Sequence, residues 1–349
     1  MLNIINYKMR NDSVQFAKAI GIILVVIGHS GFWPSDNPFI YMFHMPLFFF
    51  LSGYCFKEEN LKCSYGTYIV KKIKGLYLPY IKWALFFLLI HNFLCNIGIY
   101  AKEYGFYKYT LLDTIQRFVS ISTCMSGEDA MLGGFWFLKY LFFSSIALLV
   151  LLKMIKNKLL VFIILIFAML LSSYFNKHIP YLGLGSTFFM SILFMWGGKM
   201  YKESHIIMRW SIVIVGLVIV SLGAKFWSCT MLNFTYKQSL PYFVSGIAGA
   251  LMILGICQML LSKVINHRIK SAILFIGDNT LTILALHFVS FKIVSLFLVE
   301  LYKLEPYRLA EFITIHEYSR MGYWMLYSIV GIVVPLMFVK LKRKLYEVK

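Results

Sequence analysis

Hydrocarbon offers a backbone no water to bond to, so each segment that crosses a bilayer must close its own hydrogen bonds. This sequence meets that constraint ten times over. Apolar runs cover residues 12–32, 38–56, 75–95, 134–152, 158–174, 182–200, 207–226, 239–262, 274–298 and 323–340. Each is near the ~20 residues an α-helix needs to cross. The pattern predicts an all-α fold: a polytopic transmembrane bundle of about ten spans, one domain over 1–349, with no appended soluble domain. Charged residues are 14% of the chain, against roughly 25% in soluble domains, which excludes an ordinary soluble globule.

A net charge of +19 would suggest nucleic acid as a partner of a soluble protein. Here the cations sit between apolar runs, where they act as topology signals facing anionic lipid, so no nucleic acid partner is expected. With the N-terminus in the cytoplasm, 21 Lys and Arg fall on inner segments and span ends and 9 on outer ones. The inner set includes Lys8, Arg10, Lys263 and Lys349. Both termini are therefore expected in the cytoplasm. Lys18, Lys82, Lys139 and Lys292 remain inside spans.

Two outer segments are long, 96–133 and 299–322. Their tyrosines (Tyr100, Tyr104, Tyr107, Tyr109 and Tyr307) would suit a sugar platform or a solvated connector with interfacial rings. The six cysteines show no metal spacing, so no metal is expected. The first apolar run is too long for a signal-peptide core, contains Lys18 and lacks a small-residue cleavage site, so it reads as a retained span.

The polar residues inside the spans carry the chemistry. Lys18 and His29 are eleven residues apart in AKAIGIILVVIGHS. At 100° per residue they share one helix face, about 16.5 Å apart along the axis. A cation and an imidazole are costly in lipid, so a shared face argues for a protein cavity. A neutral imidazole can take a proton from a hydroxyl near neutral pH. The span is close to the reach of a pantetheine arm, with Lys18 at coenzyme A phosphate and the thioester near His29. Snorkelling of Lys18 to the headgroups is the plainer alternative. Asp12 and Gln15 suggest a capping box for this helix.

FHMPLFFFLSGY, residues 43–54, joins His44 to Pro46, which permits a kink, and to Ser52 and Gly53, a small pair that allows close helix approach. IVKKIKGLYLPY, residues 69–80, offers Lys71, Lys72 and Lys74 as a basic mouth for a cytosolic polyanion or as plain inside-facing charge. Trp136 opens span four at an interface. Asp278 is a candidate N-cap for span nine, which carries His287.

Taken in order, these pieces resemble the membrane acyltransferase family 3, in particular its fucose 4-O-acetylase-like members. That family typically has Arg or Lys, ten residues, then His in its first span; here these are Lys18 and His29. Its FHMPLFF…SG segment corresponds to residues 43–53, its basic run to KKIKGLYLPY, its WFL opening to Trp136, Phe137 and Leu138, and its late-span histidine to His287. Two positions depart: Gln15 stands where an acid is common, and Lys18 replaces the frequent Arg, which removes a bidentate phosphate contact.

The resemblance implies O-acyl transfer, usually acetyl from cytosolic acetyl-CoA as donor co-substrate to a hydroxyl of a surface sugar such as an O-antigen polysaccharide precursor. His29 would be the central catalytic residue and His44 its partner. Lys18, Lys71, Lys72 and Lys74 would hold the donor, with Ser52, Trp136 and His287 in support. Membrane lipid and a glycan or lipid-linked sugar are the expected partners, and the bacterial inner membrane the expected location. Three rival readings stay open: a glycan-lipid flippase, a polysaccharide polymerase, and an acyltransferase acting on a small cytosolic acceptor.

Overall fold

The computed structural model describes residues 11–31, 38–179, 181–261 and 266–347. Among them there is no β-strand, only two isolated bridges. The helices that build the bundle are α1 (Asp12–His29), α2 (His44–Tyr54), α3 (Tyr65–Asn96), α4 (Leu111–Cys124), α5 (Trp136–Met154), α6 (Lys158–Tyr174), α7 (Ser186–Ser204), α8 (Trp210–Phe226), α9 (Tyr236–Leu261), α10 (His267–Asp278), α11 (Thr280–Tyr302) and α12 (Trp324–Glu347).

Every expected span falls on a helix. Six helical stretches are long and apolar enough to cross a membrane, and together with the apolar composition they make this a multi-pass membrane protein. They contain α1, α3, α5, α9, α11 and α12. Three shorter apolar helices, Ile40–Tyr54, Lys158–Tyr174 and Trp210–Phe226, fall on three more of the expected segments but are not among those six. The fourth remaining one, α7, ends in the charged stretch Lys199, Lys202 and Glu203.

Local chemistry corrects several boundaries. The cap of α1 is Asn11, whose side chain accepts from the Val14 N–H at 3.2 Å. The expected capping box does not form: Asp12 pairs instead with Lys270 at 2.8 Å, and Gln15 Oε1 accepts from Lys18 Nζ at 3.2 Å. Pro46 does not kink a long span. It sits in the first turn of α2, where its missing N–H leaves no bond unmade. At 11 residues α2 is about 16 Å long, roughly half a bilayer core. Asp278 closes α10, and Asn279 precedes α11. The helix expected over 75–95 starts ten residues earlier and runs unbroken through a π-turn at Ile73–Tyr77 just before Pro79. A π-turn relaxes the helix where proline removes a donor.

Gly53 does what its size suggests: a methyl group there would overlap the Met195 carbonyl, so α2 and α7 touch backbone to backbone. All six cysteines are free thiols.

The segments that the charge pattern groups on one side meet at one end. There Lys270 pairs with Asp12, Lys158 with Glu203 at 2.7 Å, and Lys199 with both Glu58 and Glu203. Lys8, Arg10, Lys263 and Lys349 lie outside the described residues. At the opposite end the two long connectors pack on each other, Tyr104 against Tyr307 (6.4 Å between centroids) and Phe106 against Phe312 (5.7 Å). Lys292 anchors the second connector by donating to the carbonyls of Leu309 (3.0 Å) and Glu311 (2.8 Å). The first contains α4, an amphipathic helix not foreseen from the sequence. Its Thr110–Asp113 capping box is complete, and Leu111, Leu112, Ile115 and Phe118 stay exposed.

Candidate active site

A cavity of about 390 Å³ runs along α1. Val14, Lys18, Ile22 and Val25 line it; their three- and four-residue spacing makes one helix face. The same spacing continues to His29. α2 contributes Met45, Phe48, Leu51 and Ser52 to the wall, and α5 contributes Phe137 and Leu138. Leu284 lies on the far side. Lys18 and Asp278 bring charge to the end away from His29. The cavity stops at Val25 and Leu284, one helical turn short of His29 and His287.

At that inner end the chain assembles three histidines. His287, fully buried on α11, directs Nδ1 at two carbonyl oxygens, Leu284 at 2.9 Å and Ile283 at 3.1 Å. A carbonyl only accepts, so Nδ1 carries the proton and Nε2 offers a lone pair. That Nε2 lies 3.0 Å from His29 Nδ1, which therefore donates to it. By elimination His29 Nε2 keeps an open lone pair, and it has no partner among the described residues. The two rings stack at 5.2 Å between centroids, and Phe288 meets His29 edge-on at 5.0 Å.

His44 starts α2 within electrostatic reach of His29. Its Nδ1 donates to the Ile40 carbonyl at 2.7 Å, which leaves its Nε2 as an acceptor. Tyr41 ties this turn to α1 by donating to the Gly28 carbonyl at 2.6 Å. On the opposite flank, the loop before α5 closes on α11: a methyl group at Gly134 would lie 2.7 Å from Leu284.

A family model described as an acyltransferase domain matches residues 11–340. The chain belongs to this acyltransferase family. Two curated relatives, the nodulation protein NolL of Mesorhizobium japonicum and that of Sinorhizobium fredii, are 38% and 37% identical over 86 residues. The match covers 22% of this chain and 23% and 24% of theirs, so the chain spans about a quarter of the length of the curated relatives it matches. No solved structure matches.

The acyltransferase motifs do not all converge. Lys18 and Ser52 line the cavity, while His29 and His287 sit one helical turn beyond its Val25 and Leu284 end and His44 adjoins Met45 of its wall. The lysines of the KKIKG stretch do not line it, although Gly75 and Leu76 do. Lys71 donates to Asn60 Oδ1 at 3.0 Å, Lys72 lies over the Tyr68 ring at 5.2 Å, and Lys74 is exposed. Trp136 packs on Phe137 and Tyr140 of its own helix, while Phe137 and Leu138 face the cavity. Sequence reasoning missed Tyr41, Phe288 and the cavity-facing Asp278. Phe288 adjoins a flagged histidine, but nothing in the pattern marks Tyr41.

Proposed function

We propose that this chain is a membrane-bound O-acyltransferase that moves an acetyl group from acetyl-CoA to a hydroxyl of a sugar or polysaccharide precursor. The observation that carries the reading is the open Nε2 of His29. The ring is held through Nδ1 by a hydrogen bond to His287, one helical turn beyond the end of a cavity that Lys18 lines.

In this reading His29 Nε2 takes the proton of the acceptor hydroxyl as its oxygen attacks the thioester carbonyl. The imidazolium so formed is steadied by its Nδ1–H bond to His287 Nε2. The carbon–sulfur bond then breaks, and His29 returns the proton to the leaving coenzyme A thiolate. An acetyl ester and free coenzyme A result. His44 polarises the carbonyl or orients His29. Lys18, held by Gln15, faces the phosphates of the donor.

The matching orientation puts the Lys18 end and both termini in the cytoplasm of a bacterial inner membrane, with ten spans. The cations gathered at that end support it. The test is acetyl-CoA binding by the purified protein, coupled with mass spectrometry of surface glycans from cells with and without it. The reading expects binding, and acetyl esters that disappear with the protein. Unaltered glycans together with no donor binding would overturn it.

A further inference from the structure

α4 does not lie flat across the connector end of the bundle. Just before it, Tyr109 exchanges two bonds with Asn92 of α3: Asn92 Nδ2 donates to the Tyr109 carbonyl at 2.9 Å, and Asn92 Oδ1 accepts from the Tyr109 N–H at 2.7 Å. Near the far end of α4, the Tyr77 hydroxyl of α3 donates to the Ser122 carbonyl. From Tyr77 to Asn92 is about 22 Å along the axis of α3, and α4 itself is about 21 Å long. α4 therefore runs antiparallel beside the apolar span 75–95 for most of its length. The chain then comes back. Met125 and Gly127, both at positive φ, turn it. Arg117 closes the turn by donating to the Gly127 carbonyl at 3.1 Å, and Asp129 meets His91, the neighbour of Asn92, at 2.6 Å. The segment enters and leaves at one end of the bundle, so it adds no crossing.

Both ends of α4 suit that course. Its start, at the connector end, carries the complete Thr110–Asp113 capping box. Its far end has no water to bond at that depth, and its carbonyls find protein donors. Ser122 accepts from Tyr77, Ser120 from the Ser126 N–H at 3.3 Å, and Cys124 from the Ser126 hydroxyl at 3.2 Å. Thr114 and Thr123 donate their hydroxyls to the Thr110 and Val119 carbonyls of the same segment. What remains unmatched is apolar. Leu111, Leu112, Ile115, Phe118 and Val119 fall within an arc of about 120°, and each is at least half exposed, whereas Ile121 beyond that arc is buried.

We infer that α4 is a re-entrant helix whose exposed stripe meets the acyl chains of the surrounding bilayer. An apolar stripe at the depth of a spanning helix, covered by none of the described residues, faces hydrocarbon. Leu89 and Phe93 of α3 are exposed over the same depth. The inference stands independently of the reaction at His29.

The test uses the purified full chain in vesicles of phosphatidylcholine that carries a diazirine midway along one acyl chain. Light-induced adducts are located by peptide mass spectrometry. Wild type should carry them on Leu112, Ile115 and Phe118 at yields like those of Leu89 and Phe93. In the same vesicles, the thiols of I115C and F118C should react with a membrane-impermeant maleimide about tenfold more slowly than that of K102C in the exposed connector, because hydrocarbon disfavours the thiolate. If those variants do not fold, photolabelling of the wild type decides alone. Adducts on Leu89 and Phe93 with none on α4 would overturn the proposal. Thiol reaction at the K102C rate would then put the stripe in water, and slow reaction would put a second copy of the chain on it.

Discussion

Two histidines in this bundle, buried His91 and half-buried His29, are treated in opposite ways. His91 on α3 is closed on every side. Its Nδ1 meets Asp129 Oδ2 at 2.6 Å, its Nε2 meets the Tyr107 carbonyl at 3.0 Å, and its face stacks on Tyr109 at 3.5 Å. Tyr100 donates to the other oxygen of Asp129; burial first and that carboxylate second raise the Tyr100 hydroxyl above its ordinary range. His29 spends one nitrogen on His287 and leaves the other unused, one helical turn beyond the end of a cavity. Both arrangements satisfy the rule that buried polar groups find partners. Only the second keeps a lone pair available for a proton. His91 works mechanically: Asp129 also accepts from the Met131 N–H at 2.9 Å, fixing the turn that leads to Gly134 and its contact with α11.

The contrast can be broken by substitution. Among the residues around His29, the largest effect is expected from His287→Ala, which removes the acceptor that sets the His29 tautomer. The rate of transfer should fall about 10²-fold at saturating donor, with little change in donor KM. A smaller effect is expected from Lys18→Ala: KM for acetyl-CoA should rise about tenfold, the cost of one charge-assisted contact, with kcat nearly kept and Lys18→Arg largely restoring affinity. His91→Ala should leave the rate per folded molecule almost unchanged while lowering stability by roughly 2 kcal/mol, seen as earlier thermal unfolding in detergent. The smallest effect belongs to Lys71→Ala. Its ammonium is engaged by Asn60 and does not line the cavity, so donor KM should barely move. An effect as large as that of Lys18→Ala would return the basic stretch to the donor site.

How much of this was legible follows from the range of each interaction. Helix existence and the Lys18–His29 face follow from periodicity within one segment. Gly53 likewise announced close packing by its size. Boundaries were less readable, because Asn11 stands beside Asp12 and Asn279 beside Asp278, two candidates for one helix end, and because Pro46 suits either a kink or a first turn. The half-length of α2 was hidden because hydropathy counts apolar residues whether they meet lipid or protein. The amphipathic α4 escaped because an apolar stripe mixed with polar residues averages to a loop. The His29–His287 bond joins residues 258 apart in sequence, and no local pattern encodes such a pairing. His91 and His29 look alike in sequence, each a histidine near a span end; their partners, set by tertiary packing, are what separate them.

The central claim is that the open nitrogen of His29 takes the acceptor's proton. Its most direct test is transfer of labelled acetyl from acetyl-CoA by membranes containing His29→Ala or His91→Ala, at matched amounts of folded protein. The account predicts transfer lost with His29→Ala and retained with His91→Ala. Transfer that survives in His29→Ala at a rate near wild type would contradict it.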